Sequence, residues 1–327
     1  MSNLETTTPD IAQDADATTA TATEIRQSMG AVKLSFTWLG TQRKLSDTQT
    51  KQAADVFDAQ KDLVTASKRL IDTKHPAYRA ATQIKSQAAA YWRSVTLPYP
   101  QGGVRLIKHE DIATFETTMR AYQTQLAAAA ANLQLEYDAI KTAAREKLGQ
   151  LFNPADYPAT LENVFELTWE YPSVEPPPYL MGFNPEIYRQ EQARVQARFE
   201  TAVAMAEEAF ATKLSELIEH LVTRLTDAPG EQRKTFHAST IENFTEFYDN
   251  FKKMNVRSNA QLESLIHRAN DIIAGVRATS HHHNFAQVRN NAEVRGALVS
   301  QMSAVQVALD NLIVTPPTRR VMPLEPE

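Results

Sequence analysis

Proline placement constrains this chain more than any other feature. Long runs of Ala, Gln, Leu, Glu and Arg, all good helix formers, are interrupted by two islands rich in Pro and aromatic residues. The first island reads Leu97-Pro98-Tyr99-Pro100-Gln101-Gly102-Gly103. The second extends from Leu151 (LFNPADYP) through YPSVEPPPY to Gly182. Six prolines fall between Pro154 and Pro178, whereas none lies between Gln101 and Asn153. Proline deletes a helical hydrogen bond and clashes with the preceding turn, so each island must end a helix.

Between the islands, the apolar positions Ile112, Phe115, Met119, Tyr122, Leu126, Ala129, Leu133, Tyr137, Ile140, Ala144 and Leu148 recur at steps of three and four. That spacing is a coiled-coil-like seam. After the second island, Asn184-Pro185-Glu186 reads as a helix start: a capping amide, a proline in the first turn and an acid at the positive end of the dipole. A second seam follows through Val195, Phe199, Val203, Ala206, Phe210, Leu214, Leu217, Leu221 and Leu225. Each seam spans about 40 residues, or roughly 60 Å at 1.5 Å per residue. Their matched lengths predict antiparallel packing, with the second island at the turn. Further helices are expected at about 233–254, 258–275 with Ser258 as cap, and 284–313. Earlier in the chain, Ser46 and Gln49 have capping-box spacing for a helix ending at His75-Pro76, with Val56, Leu63, Leu70 and Ile71 on its apolar face. A further helix is expected from about Tyr78 to Arg93.

Two segments alternate with a period of two. Val32, Leu34, Phe36 and Trp38 share one face of the first, as do Phe165, Leu167, Trp169 and Tyr171 of the second. Both read as half-buried strands. The fold class is therefore mainly α: an elongated antiparallel helical hairpin or bundle with long coiled-coil-like helices and a small β element. The expected organisation is an acidic disordered tail over 1–28, an elongated helical domain over 29–314 with β insertions near 31–38, 95–107 and 163–171, and a Pro-rich extended tail over 315–327.

Composition excludes several function classes. There is no Cys, which rules out disulfides, thiolate metal sites and Cys nucleophiles and suits a reducing, cytoplasmic setting. A net charge of -5 with pI near 6.0 argues against nucleic-acid binding. No run approaches the roughly 18 apolar residues of a membrane span, and the N-terminal segment lacks the pattern of a signal peptide. Phosphate loops, nucleophile elbows and zinc-protease helices are likewise missing. His281-His282-His283 is the single metal-like run. Three consecutive side chains diverge, however, and a solvated loop outweighs a metal site there. Asp156, Glu162, Glu166, Glu170 and Glu175 make the second island acidic, but no base, nucleophile or metal partner accompanies them. No enzyme activity and no cofactor are expected.

The better functional lead is exposed aromatic residues in proline-stiffened segments, where side chains are presented at little entropic cost. Tyr157 and Tyr171 read as covers for helix ends. Tyr99, Tyr179 and Phe183 stand as candidate partner contacts. Arg319 and Arg320 join them, because Pro316-Pro317 extends the backbone ahead of them.

The stretches TWLGTQRKLSD (37–47), YWRSVTLPYPQGGVRLIKHEDIATF (91–115), LFNPADYP (151–158) and NVRSN (255–259) together resemble an uncharacterised family of bacterial and phage proteins, a domain of unknown function, over roughly residues 30–320. Such proteins are often encoded near AAA+ ATPases of the MoxR or cobaltochelatase type and near von Willebrand A proteins. The resemblance implies a protein partner and supplies no catalytic residue. The expected function is a non-enzymatic structural or adaptor protein acting through protein–protein contacts, with homo-oligomerisation open. A membrane-acting helical protein is the alternative, and nucleic-acid binding stands behind both.

Overall fold

The computed structural model describes residues 11–226, 237–255, 258–278, 288 and 291–314. In chain order its main elements are α1 (Ile11–Ser28), β1 (Met29–Thr37), β2 (Gln42–Lys44), α2 (Asp47–Asp55), β3 (Ser67–Arg69), α3 (Pro76–Ser94), β4 (Leu97–Pro98), β5 (Val104–Lys108), α4 (Ile112–Leu148), β6 (Glu166–Glu170), α5 (Tyr179–Phe183), α6 (Pro185–Leu225), α7 (Ala238–Met254), α8 (Ala260–Ala278) and α9 (Ala292–Val314). The chain is mainly α with a small antiparallel sheet. Its contacts gather into two compact units. One comprises residues 30–96 and 103–172; the other comprises 1–29, 97–102 and 173–327.

In the unit of residues 30–96 and 103–172, α4 is the central element. Phe115, Met119, Leu126, Ala129, Leu133, Tyr137, Ile140 and Ala144 are buried along the stripe that the 3/4 spacing marks. α3 and β6 cover that stripe. β1 lies between β5 and β6 in the sheet, and its register with β6 pairs Leu34 with Trp169 and Phe36 with Leu167. The two alternating segments are thus partners, each lending its apolar face to one core. The opposite face carries the Lys33–Glu170 ion pair at 3.0 Å. Gln123 donates to the Leu167 carbonyl, Tyr137 to the Pro158 carbonyl and Tyr157 to the Leu70 carbonyl, which fastens the first half of the second island onto α4 and the segment after β3. Burial, reinforced by Tyr157 and Asp138 nearby, pushes the Tyr137 hydroxyl up to about 12.

In the other unit, α6 is the spine. Its second half shares a core with α7, α8 and α9. Gln306 of α9 donates to Ser215, and Arg295 donates to the Leu225 carbonyl at 2.8 and 3.2 Å, so α9 runs antiparallel to α6 and caps its last turn. α1 packs along α6, with its Ala22 and Ile25 buried. The seams of α4 and α6 are each covered inside their own unit. Periodicity specifies which side of a helix is buried but not which neighbour buries it.

Four local expectations are overturned. Residues 11–28 form helix α1, not a disordered tail: Ala-rich sequence favours helix, and Ala22 and Ile25, three residues apart, turn inward. The helix begun by the Ser46–Gln49 capping box, which does form, stops at Asp55, long before His75. Val56 and Leu63 consequently point into solvent, while Leu70 and Ile71 are buried beside β3. His75-Pro76 opens α3 instead of closing a longer helix, because proline fits the first helical turn. The cap of α8 is Asn259, whose Oδ1 accepts from the Leu262 N–H, while the Ser258 hydroxyl donates to Glu207.

Candidate protein-contact surface

Pro176, Pro177 and Pro178 restrict the backbone ahead of α5, and Asn184 closes it. Asn184 is extended (φ -152°, ψ 95°), and its Oδ1 accepts from the Glu186 and Ile187 N–H groups at 3.1 and 3.2 Å. The same residue thus ends the short helix and begins the long one, with Pro185 in the first turn as the sequence predicts. α5 packs on α6, and Leu180 is half-buried. The other large side chains face outward: Tyr179, Met181, Phe183 and Ile187 are 63, 61, 86 and 43% exposed. Tyr179 and Phe183, one helical turn apart, meet edge to face with ring centroids 6.5 Å apart. The result is an apolar ledge with one preformed aromatic pair. The neighbouring Glu186–Arg189 ion pair, at 2.9 Å, gives it a polar border.

The segment leading into the ledge is anchored. Arg26 of α1 grips Glu175 through both carboxylate oxygens, with Nε to Oε1 at 2.7 Å. Tyr99 of the first island behaves differently from Tyr179. It is 4% exposed, its ring meets Phe199 of α6 edge-on at 5.5 Å, and burial raises the pKa of its hydroxyl. Tyr99 is therefore a core side chain and presents no contact surface. Proline stiffening tells how little entropy a side chain loses, not which way it points. Arg319, Arg320 and His281–His283 lie outside the described residues. Met181 and Ile187 were missed by sequence reasoning; the available signal was an apolar pentapeptide, YLMGF, locked between Pro178 and Asn184-Pro185 and too short to bury itself.

Elsewhere, charge is used to fasten elements. In the sheet-containing unit, a 350 Å³ cleft is lined by Glu116, Arg120, Gln123, Thr168, Trp169 and Tyr171. Glu116 accepts from the Trp169 indole N–H at 2.6 Å, the Tyr171 hydroxyl at 3.0 Å and Arg120 at 3.1 Å. The indole bond, aided by Tyr171 and Arg120, holds the Glu116 carboxyl below its ordinary pKa despite opposing desolvation. The Tyr171 hydroxyl is raised, first by burial and then by the Glu116 charge. An anionic Glu116 ringed by donors is a clamp between α4 and the end of β6. This agrees with Tyr171 serving as a cover. A second cleft, 710 Å³, follows the start of α3 past Lys74, Tyr78, Arg79, Thr82, Gln83 and Ser86.

The acids of the second island are dispersed. Asp156 lies 2.7 Å from the buried Lys68, Glu170 pairs with Lys33, and Glu175 pairs with Arg26. Among the described residues, no cluster of three His, Asp or Glu side chains could hold a metal ion, and no helix is long and apolar enough to cross a membrane. No protein-family model, no curated protein and no solved structure matches the chain.

Proposed function

We propose that this chain is a non-enzymatic adaptor that works through protein–protein contacts, and that the α5 ledge is its principal contact surface. The carrying observation is the ledge itself: Tyr179, Met181, Phe183 and Ile187 held in solvent by a proline lock on one side and a capped long helix on the other. An ordered exposed aromatic pair loses little entropy on docking, and Tyr-type anchors dominate binding hot spots. The specific form of the proposal follows the family resemblance. The partner is an AAA+ ATPase of the MoxR or cobaltochelatase type, or the von Willebrand A protein that accompanies it.

The test uses the full chain and purified AAA+ proteins of the MoxR or cobaltochelatase type and von Willebrand A proteins from the same genome, with affinity measured by calorimetry. Phe183→Asp should weaken the complex by more than about 2 kcal/mol, roughly 30-fold, while the circular dichroism spectrum stays unchanged. Binding that survives Phe183→Asp, or no binding to either protein, refutes the proposal. Flotation with liposomes that depends on Phe183 favours the membrane-acting alternative instead.

A further inference from the structure

α2 ends in a hydrogen-bonded turn that exposes more apolar surface than its size explains. The Ala59 N–H bonds to the Ala54 carbonyl at 3.0 Å and the Asp58 N–H to the Asp55 carbonyl at 3.3 Å, the paired bonds of a Schellman ending. The left-handed position of that motif normally holds Gly or Asn; here it is Asp58, with φ 50°. Val56, Phe57 and Leu63 project from this tip and are 76, 80 and 83% exposed. Every residue from Asp55 to Leu63 is exposed, so no part of the unit folds over it.

The charges around the tip state what kind of surface it fits. Asp55, Asp58 and Asp62 flank the three apolar side chains, and among the described residues none of them forms an ion pair. Two lysines lie nearby: Lys61 is engaged 3.2 Å from Asp47, and Lys51, one turn before Asp55 on α2, forms no ion pair among the described residues. The acids of the tip therefore outnumber the cations beside them. Asp55 and Asp58 also lie at the carbonyl end of α2, where the helix dipole disfavours negative charge. Local rules are thus broken twice, by an Asp in left-handed geometry and by acids at a helix C-terminus. The Schellman hydrogen bonds hold the Asp58 backbone, but among the described residues no hydrogen bond or ion pair meets the Asp55 or Asp58 carboxylate. A facing cationic rim would answer both acids at once.

We propose that the α2 tip is a second docking site, inserting Phe57, Val56 and Leu63 into an apolar pocket of a protein partner whose rim carries Lys or Arg. This site lies on the sheet-containing unit, is distinct from the α5 ledge and does not depend on it.

The test pans a phage-displayed random-peptide library on the full chain, with the Phe57→Asp variant as the counter-selection target. Synthetic versions of the enriched peptides are then titrated by fluorescence anisotropy. Enriched sequences should interleave apolar residues with Lys or Arg, and bind Phe57→Asp and Leu63→Asp at least about tenfold more weakly than the parent chain. Affinity should fall several-fold in the Asp55→Asn/Asp62→Asn variant, and again between about 0.05 and about 0.5 M salt. Phe183→Asp should leave this binding unchanged, which separates the site from the ledge. Enrichment of acidic or uncharged peptides, absence of enrichment, or binding indifferent to Phe57→Asp and Leu63→Asp overturns the proposal. So does self-association of the chain that disappears in Phe57→Asp.

Discussion

Replacing Glu116 should destabilise one unit by a calculable amount, and the chain contains its own reporter for the experiment. All three tryptophans, Trp38, Trp92 and Trp169, belong to the unit of residues 30–96 and 103–172, so indole fluorescence follows that unit selectively. In Glu116→Ala the half-buried Trp169 N–H loses a charge-assisted bond, about 1–1.5 kcal/mol after allowing for partial exposure. The more exposed Tyr171 hydroxyl adds about 0.5 kcal/mol. The solvent-facing Arg120 one turn along adds about 0.3 kcal/mol. The sum, about 2 kcal/mol, shifts a urea midpoint by roughly 1 M at an m-value near 2 kcal/mol/M. Glu116→Gln keeps an acceptor and loses the charge, so about half that effect is expected. The sign with pH follows from the lowered carboxyl pKa. Glu116 contributes fully above the unfolded carboxylate value of about 4.3, and its contribution disappears as pH falls through the folded value. The gap between parent and Glu116→Gln should therefore narrow as pH falls below the unfolded carboxylate value and close once the folded carboxyl is protonated. A midpoint shift worth less than about 0.5 kcal/mol in Glu116→Ala, or a Gln gap that persists at low pH, would show that the cluster is not the clamp its geometry describes.

Two further perturbations probe the same unit. Lys68, whose Nζ meets Asp156 at 2.7 Å and the Leu151 carbonyl at 2.6 Å, is almost fully buried. Lys68→Met should cost about 3 kcal/mol by fluorescence-monitored unfolding, and adding Asp156→Asn should restore part of it. An indifferent single variant would mean that solvent reaches the pair. At Asp58, Gly removes a left-handed penalty of about 1–2 kcal/mol and adds about 0.5–1 of chain entropy. Hydrogen exchange at the Ala59 N–H should thus slow in Asp58→Gly and quicken in Asp58→Ala. The reverse order would exclude backbone strain at this turn.

Much of the helical framework was legible because its determinants are local. The seam positions from Phe115 to Ala144 and from Val195 to Leu225 are buried almost one for one. The Ser46–Gln49 box and the Asn184-Pro185-Glu186 start form as read. The candidate surface was half legible. Tyr179 and Phe183 are exposed, but Tyr99, in a similarly proline-rich context, is sealed against Phe199. The Glu116 clamp had little sequence signal, since the two donors that tie it to the sheet lie on β6 and just beyond it, 53 and 55 residues away. The break after Asp55 was hidden for a related reason: Val56 and Leu63 have helical spacing, yet nothing in the fold covers them.

By itself, the sequence determined where the two longest helices, α4 and α6, start and stop, which stripe of each turns inward, and that two alternating segments are strands. Capping, proline geometry and side-chain period act over a few residues and need no partner to be read. Only the tertiary structure decided what covers each stripe: α3 and β6 on α4, and α1, α7, α8 and α9 around α6. It also decided which aromatics remain in water. The hydrophobic effect rewards burial against any well-fitting apolar surface, so the choice of surface belongs to the whole fold and not to the stripe.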